Sequence, residues 1–515
     1  MPWPAQTKIV FYSAAAALFL VASAACAARP QYGGVLRVEL RASAVTLNPR
    51  RWKAGSPEYA TNQRLAELIF DRLVSLDNYG RFQPQLATDW SHDSSVKRWQ
   101  FTLRQGVKFS DGTLLVPGDV VAALQPLLAT VMQISATPAG VVIQSANPAN
   151  DLLEQLASGS YFVDRSDEQG NLLGTGPFVL ERMNASATRA EKSALDAAVP
   201  QAQHLRFRFN ELCWSGRPFV DAIDVMLGVP PLRALLDSQL GKADAAEISE
   251  DTARRAQQST VKLWASSPLT LYAVKFAAPA KSANDRTLRE ALSLSLDRNA
   301  MARVLLQKQA EAAPSFLPQW LSGYAFLFDM ESNLERAKEL RASLPASSVG
   351  AAQPLRVSLD ANSDLSKLIA ERVVVNARAA GLTLQIVSRG APRASSDGMA
   401  AKAESEAQLV SWRYTSLSPR EALESFAATS HWDIPQGGMS ADADARYAWE
   451  KRMMEEKNLL PLVVVPDFAV LDSRVRNWSP SAWGEWHLAD VWLDQADAGT
   501  NAHDAGAKTQ AGGKP

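Results

Sequence analysis

The stretch that decides the fold is RWQFTLRQGVKFSDGTLLVPGDVVAAL, residues 98–124. It begins with alternating polar and apolar side chains, and this period of two predicts a half-buried β-strand. The tripeptide Ser-Asp-Gly at 110–112 predicts a turn, because Asp can bond to nearby backbone and Gly tolerates a positive φ. Pro117 suits the first turn of a helix, where a backbone N–H is not needed. The stretch therefore predicts a strand, a turn and a helix, and it contains no catalytic group.

The size and composition of the chain indicate a soluble protein of about two or three domains. It has 515 residues, of which 47% are hydrophobic and 21% are charged, a balance typical of globular proteins. The formal net charge is −1 and no basic run is interleaved with aromatic residues, so we expect no nucleic-acid partner. The 14 tryptophans are either core residues or the aromatic walls of a ligand-binding cleft.

The N-terminus, residues 1–28, is predicted to be a signal peptide. Lys8 precedes an apolar run at 9–22, and small residues follow that run, as in peptides that direct export. The run is too short to favour a stable membrane span. Two maturation routes are open: cleavage after the small residues, or lipid attachment at Cys26, although Ser23 stands where lipoprotein signals usually have an aliphatic residue. Both routes predict a periplasmic protein, either free or tethered by a lipid.

The side chains that usually carry catalysis or bind metals form no recognisable motif. Cys26 and Cys213 are the only cysteines, so removal or acylation of Cys26 excludes a disulfide. The five histidines are scattered, and the sequence contains no H-E-x-x-H, no G-x-S-x-G and no P-loop. We therefore expect no catalytic residue, no metal site and no cofactor. A carboxylate pair assembled only by folding would not be visible in the sequence.

The second half of the chain predicts an alternation of strands and helices. Residues 355–387 predict a strand, a helix and a second strand, which together make a βαβ unit. Residues 285–307 predict two abutting helices, and residues 460–472 predict a strongly apolar strand. The segment 388–406 is expected to be a flexible connection, and the tail 495–515 is expected to be disordered because it has little to bury.

Several stretches, taken in order, resemble one protein family. Besides 98–124 they are GGVLRV (33–38), GTGPFVL (174–180), WSGRPFVDAIDV (214–225), LREALSLSLDRNAM (288–301) and LPLVVVPDFAVLDSRVRNWSP (460–480). With these stretches the chain resembles the family 5 extracellular solute-binding proteins, which serve ABC importers of dipeptides, oligopeptides, nickel and related solutes. The resemblance covers nearly all of the chain after the predicted signal peptide.

The resemblance implies an α/β fold of the periplasmic-binding-protein type II, with two lobes, an additional subdomain and a ligand cleft between the lobes. The implied boundaries are lobe I at 33–67, 175–270 and 465–494, the extra subdomain at 68–174, and lobe II at 271–464. Solute would be buried as the lobes close, and a membrane permease and ATPase complex would recognise the closed form. The stretch 98–124 would then be scaffold, and the protein is expected to be a monomer.

The resemblance also implies a set of ligand-binding residues in SWRYTSLSPREAL, residues 411–423. Peptide-binding members carry an Asp a few residues after a Trp, and that Asp neutralises the α-ammonium group of the solute. Here Trp412 matches, but the acidic position falls on Thr415, and burying an ammonium without a carboxylate is costly. Arg413 and Tyr414 lie between them, and Arg413 would suit a carboxylate or another anion. Trp412 either lines the cleft or packs beneath it, and Arg413 is either a ligand contact or a solvated surface residue.

These observations predict a periplasmic receptor of an ABC importer that binds a peptide-like or similar organic solute and performs no chemistry. A receptor of the same fold for an anion, a sugar or chelated nickel is an alternative. A second alternative is an orphan receptor that presents its ligand to a sensor. A third is a secreted hydrolase that uses a carboxylate pair formed only on folding.

Overall fold

The structure, a computed structural model, describes residues 29–494 except for 54–55, 57, 78, 129–131, 182–203, 308, 351–352, 361–362, 390–404, 431, 436–437 and 441. The predicted signal peptide with Cys26, most of the predicted connection at 388–406 and the tail 495–515 lie outside the described residues. Within the described part, no helix is long and apolar enough to cross a membrane.

Strands and helices alternate over most of the described chain. The strands are β1 (Val35–Leu40), β2 (Val74–Leu76), β3 (Phe82–Pro84), β4 (Ala87–His92), β5 (Arg98–Leu103), β6 (Met132–Thr137), β7 (Gly140–Ser145), β8 (Arg165–Ser166), β9 (Leu172–Leu173), β10 (Phe178–Glu181), β11 (His204–Phe209), β12 (Ala222–Leu227), β13 (Ala245–Ile248), β14 (Lys262–Phe276), β15 (Glu311–Ala312), β16 (Leu355–Asp360), β17 (Leu384–Arg389), β18 (Ala407–Arg413), β19 (Leu459–Leu471), β20 (Val475–Arg476) and β21 (Trp492–Leu493). The helices are α1 (Tyr59–Ile69), α2 (Pro117–Leu124), α3 (Leu152–Leu156), α4 (Pro231–Gln239), α5 (Glu250–Ala256), α6 (Ala283–Ser295), α7 (Arg298–Ala300), α8 (Gln319–Ser322), α9 (Leu334–Ser343), α10 (Asp364–Ala379), α11 (Pro419–Ser430) and α12 (Ala443–Glu455).

One mixed sheet organises the molecule, with strand order β10-β11-β12-β1-β13-β19-β14-β18-β16-β17 and β15 beside β19. Strand β1 runs parallel to β12 and β13, and β16 runs parallel to β17 and β18. Parallel neighbours need a crossover connection, and α10 supplies it between β16 and β17, which confirms the predicted βαβ unit. We call β10, β11, β12, β1 and β13 the N-terminal half-sheet, and β16, β17 and β18 the C-terminal half-sheet.

Two long antiparallel strands, β14 and β19, cross the centre of this sheet and join its halves. Strand β19 is the predicted apolar strand of 460–472. The register between the two strands shifts between Ala265 and Pro268 and again between Pro268 and Thr270. Pro268 lies opposite Pro466, and neither proline has an N–H to give to the ladder. The hydrogen-bonded pairing of β14 with β19 is therefore weakest at Pro268 and Pro466, where the two half-sheets meet.

Residues 98–124 fold as predicted, and their strand belongs to a separate sheet of order β4-β5-β7-β6. Trp99 and Phe101 of β5 are buried in the core of that sheet. The turn places Gly112 at φ +89°, and the Thr113 N–H donates to the Asp111 carboxylate over 2.9 Å. Helix α2 then begins at Pro117. The small sheet and α2 share a core of their own, which we call the four-stranded unit.

The second of the two helices predicted at 285–307 is shorter than expected. Helix α6 ends at Ser295, and α7 covers only Arg298–Ala300 before the backbone continues as one π-helical segment, Met301–Leu305. Asp297 begins α7, since its carboxylate accepts the N–H of Ala300 over 2.8 Å. The wider turn disturbs the regular i to i−4 pattern that a long helix requires.

Glu450 of α12 is a buried carboxyl that ties two loops to the core. Its Oε1 accepts the N–H groups of Phe316 and Leu317 at 2.7 and 3.1 Å, and its Oε2 accepts the hydroxyl of Tyr324 at 2.9 Å. The three groups that donate to it are neutral. Burial raises the pKa of Glu450 to about 7.

We expect Glu450 to make stability fall as the pH rises from about 4.5 to about 7. In that window the folded state keeps the proton while the unfolded state releases it. Glu450→Gln removes this dependence, which amounts to about 3 kcal/mol in the free energy of unfolding. Urea unfolding at several pH values measures it, with the exposed Glu455→Gln of the same helix as control. Parallel pH curves for the wild type and Glu450→Gln would contradict the assignment.

The backbone near Gly174 passes too close to α1 for any side chain. A Cβ at Gly174 would lie 1.9 Å from the carbonyl oxygen of Ile69. We expect Gly174→Ala to lower the free energy of unfolding by about 3 kcal/mol, because the backbone of α1 must move. Gly118→Ala is the matched control, since a Cβ there meets no atom within 4 Å. Chemical unfolding of both variants measures the difference, and equal stability would show that the packing is looser than described.

Candidate functional site

The predicted ligand-binding residues lie where β18 leaves the sheet and leads to α11. Strand β18 pairs with β14, so this segment sits beside the crossing of the two long strands. Trp412 is buried and packs edge-on against Tyr414 and Phe426, with ring centroids 5.0 and 5.2 Å apart. The Tyr414 hydroxyl donates to the carbonyl of Phe316 over 2.6 Å. Trp412 and Tyr414 therefore belong to an aromatic core, and their contact with solute stays a prediction.

Arg413 is neither solvated nor free, because it forms an ion pair with Asp467 of β19. The same carboxylate also pairs with Arg64 of α1, and Arg64 pairs with Glu247 over 3.2 Å. Burial alone would raise the pKa of Asp467, but the guanidiniums of Arg413 and Arg64 hold it below its ordinary value. We call Arg64, Asp467 and Arg413 the central brace. A role for Arg413 as an anion receptor stays a prediction, and a solute would have to compete with Asp467 for it.

The central brace lies at the weakest point of the main sheet. Asp467 directly follows Pro466, and its N–H donates to the Ser266 hydroxyl over 2.9 Å. Arg64 comes from α1, on the side of the N-terminal half-sheet, whereas Arg413 ends β18 of the C-terminal half-sheet. The Asp467 carboxylate thus binds one arginine beside the N-terminal half-sheet and one from the C-terminal half-sheet. These two ion pairs help to fix the position of one half-sheet relative to the other.

Thr415 lies where the two sides of the molecule face each other. Its side chain forms a hydrogen bond with the hydroxyl of Tyr59 in α1. Tyr59 is fully buried, and its pKa is raised first by burial and then by the negative charge of Glu421. Gly159 is a close neighbour of both: a Cβ atom added to it would lie 3.3 Å from the Tyr59 hydroxyl and 3.5 Å from the Thr415 carbonyl oxygen. Thr415 therefore stays a candidate contact for a neutral hydrogen-bonding group.

A second set of contacts, which the sequence did not predict, joins the four-stranded unit to the start of α11. We call it the seam, and its members are Asp151, Gln155, Ser158 and Tyr161 on one side and Ser416, Leu417, Ser418, Arg420 and Glu421 on the other. Its partners are about 260 residues apart in the chain. The Leu417 N–H donates to the Ser158 hydroxyl over 3.1 Å, and the Tyr161 hydroxyl donates to Glu421 over 2.9 Å.

An ion pair completes the seam. Arg420 donates to the Asp151 carboxylate over 3.0 Å, and both side chains are about nine-tenths buried. The Ser418 hydroxyl donates to the same carboxylate. Only one part of this arrangement has a signature in the sequence, the Ser418-x-x-Glu421 spacing typical of a helix start. The partners across the seam have none, because folding alone brings them together.

An open groove of about 420 Å³ lies elsewhere, beside α5. It is lined by Asp251, Arg254, Arg255, Gln257, Gln258 and Gln307, so it includes none of the predicted site residues. Among the residues that the structure describes, no group of three or more His, Cys, Asp or Glu side chains is placed to hold a metal ion.

Comparison with known proteins gives the family. Residues 81–433 match the model of bacterial extracellular solute-binding proteins, family 5. The nickel-binding periplasmic protein of Escherichia coli is 24% identical over 64% of this chain and 67% of its own length. The periplasmic oligopeptide-binding protein OppA of Haemophilus influenzae is 21% identical over 61% of this chain. The match spans 64% of the length of OppA.

Solved structures agree on the fold. The substrate-binding protein CtaP of Listeria monocytogenes covers 90% of this chain and all of its own, with a TM-score of 0.72 and 17% identity. NikA of Brucella suis, solved with Fe(III)-EDTA, covers 89% of this chain and all of its own, with a TM-score of 0.68 and 20% identity. These likenesses confirm the α/β fold of the periplasmic-binding-protein type II. With a family match over more than half of its length, the chain belongs to the family 5 bacterial extracellular solute-binding proteins of ABC importers.

Proposed function

We propose that this protein is a periplasmic receptor that encloses a peptide-like or similar organic solute and delivers it to the permease and ATPase of an ABC importer. Its lobes follow the boundaries implied by the sequence. Lobe I comprises 33–67, 175–270 and 465–494, the extra subdomain 68–174, and lobe II 271–464. The family match supports solute binding, and the relatives are named as binding proteins, which supports a role without catalysis.

The observation that carries the proposal is the crossing of β14 and β19. Each strand passes from one half-sheet to the other, and their pairing is irregular at Pro268. Two bodies joined by a pair of weakened strands can swing about that point, as in hinge closure around a ligand. The seam joins the four-stranded unit to the start of α11, and in this proposal its hydrogen bonds help to hold the lobes together.

A chelated metal is the second candidate solute. One relative is named as a nickel-binding protein, and a NikA of Staphylococcus aureus was solved with Ni(L-His)2. Within the described residues no cluster of ligating side chains is placed for a metal, so a metal would have to arrive inside a small organic chelator. Such a solute would use the same opening between the lobes.

A solute screen tests the function. We expect at least one member of a panel of dipeptides, tripeptides, sugars, carboxylates and Ni(II)–histidine to raise the melting temperature, because a ligand that binds only the folded state stabilises it. Small-angle scattering with and without that solute would show whether closure accompanies binding. Hydrolysis of a panel member would instead support the hydrolase alternative. No stabilisation by any solute would contradict the proposal.

The seam makes a separate prediction about closure. Asp151→Asn leaves Arg420 without its charged partner, and breaking such a buried pair costs about 3 kcal/mol of the closed form. We expect the radius of gyration of the variant to increase and its solute affinity to fall. Asp364→Asn is the control, because Asp364 and its partner Lys367 form an exposed pair that is not part of the seam. An unchanged radius of gyration in Asp151→Asn would mean that the seam does not hold the lobes together.

A further inference from the structure

The open groove beside α5 has two walls that are attached to β19 on opposite sides of Pro466. One wall is α5 with the turn that ends it, and α5 follows β13, which pairs with residues 468–471 of β19. The other wall is Gln307, which precedes β15, and β15 pairs with Val463 and Val464 of β19. The groove therefore spans the point where the pairing of β14 with β19 is weakest.

Two arginines of α5, Arg254 and Arg255, give the first wall a positive charge. The helix offers each of them a carboxylate one turn earlier, at Glu250 and Asp251. The Asp251 carboxylate instead accepts a neighbouring serine hydroxyl, and Glu250 interacts with the charge of Arg41. Among the described residues, neither Arg254 nor Arg255 takes part in an ion pair. Their guanidiniums are therefore available to a group from solution.

Amide side chains supply further hydrogen-bond donors along the groove. Gln257 and Gln258 are exposed beside the two arginines, and Gln307 is exposed on the opposite wall. An amide group can donate two N–H bonds, and a guanidinium can donate five in a fixed planar fork. Of the described residues that line the groove, Asp251 alone carries a carboxylate. Two guanidiniums and one carboxylate leave the lining with a net positive charge, which favours an anion.

Gln307 has a backbone conformation that residues other than glycine rarely adopt. Its φ is +50°, in the left-handed region. It directly follows the turn that closes the π-helical segment, where its N–H donates to the carbonyl of Val304 over 3.4 Å. Backbone strain of this kind persists only where the surrounding structure imposes it, and it is concentrated at ligand sites. The strain therefore supports a function for the second wall.

We propose that this groove binds a small multivalent oxyanion, a phosphate or a polycarboxylate, between Arg254 and Arg255 on one wall and Gln307 on the other. The planar fork of a guanidinium matches carboxylate and phosphate oxygens, and such charged hydrogen bonds are stronger than neutral ones. The volume of about 420 Å³ is in the usual range for small-molecule sites. An anion that contacts both walls would stabilise the described arrangement of the two half-sheets.

The inference goes beyond the proposed solute receptor. The groove is lined by none of the predicted ligand-binding residues, so its anion is not the solute that those residues would contact. Occupation of the groove would act on the crossing of the long strands, and it requires no solute in the opening between the lobes.

Isothermal titration calorimetry with citrate and with inorganic phosphate tests the site. Sodium chloride at the same ionic strength is the reference, because salt screens surface charge. We expect the wild type to bind citrate, and Arg254→Gln/Arg255→Gln to bind it about 10- to 100-fold more weakly, as for other charged pairs that lose one partner. Lys97→Gln/Arg98→Gln is the matched control, because it removes two adjacent exposed cations from the four-stranded unit. This control should bind citrate as the wild type does.

The variant Gln307→Gly tests the second wall. Glycine adopts the left-handed backbone without strain, so the substitution removes the amide side chain and leaves the turn intact. We expect citrate to bind this variant about 5- to 10-fold more weakly, as for the loss of one hydrogen bond to a charged group. Unchanged affinity would overturn the bridging of the two walls.

Each other failure has a distinct meaning. A wild-type titration with no more binding heat than sodium chloride would overturn the site and leave the two arginines as cations that stabilise the last turn of α5. Equal losses in both double variants would overturn it too, because they would show a general effect of net charge. If Arg254→Gln/Arg255→Gln binds citrate as tightly as the wild type, the anion binds elsewhere, and this site falls while the receptor function stands. The wild-type titrations stay decisive even if a variant fails to fold.

Discussion

The Asp467 carboxylate, shared by Arg64 and Arg413, is the interaction on which the rest of the arrangement depends. It sits beside Pro466, where the ladder between the two long strands loses regularity and cannot by itself fix the angle between the half-sheets. A carboxylate bound from both sides restores that angle through charge. Arg64 is buried, and the side chains of Arg413 and Asp467 are only 16% and 13% exposed. Removing one of the three would leave a poorly solvated charge without its partner, which is more costly than losing a surface pair.

The central brace illustrates why the local sequence pattern predicted strands and helices but not the contacts at the candidate site. The strand and turn within 98–124 and the βαβ unit at 355–387 depend on neighbours in the chain, and both are confirmed. The partner of Arg413 is 54 residues away, and that of Arg64 is 403 residues away. No periodicity encodes such distances, so an arginine near a predicted cleft could not be told from a structural one.

The aromatic residues show the same limit from another direction. Trp412 is one of the buried residues of β18. Its two ring partners, Tyr414 and Phe426, decide that it packs into a core, and Phe426 lies in the next helix. Composition could suggest aromatic walls, but only the direction of each side chain separates a wall from a core.

The central brace and the seam compensate their buried charges in different ways. In the central brace, guanidiniums and carboxylates neutralise each other directly. In the seam, Glu421 is satisfied by hydroxyls, which are weaker partners than a cation for a desolvated carboxylate. Tyr161 and Ser416 thus join the four-stranded unit to α11 through neutral hydrogen bonds, and burial without a bound cation raises the pKa of Glu421 above its ordinary value.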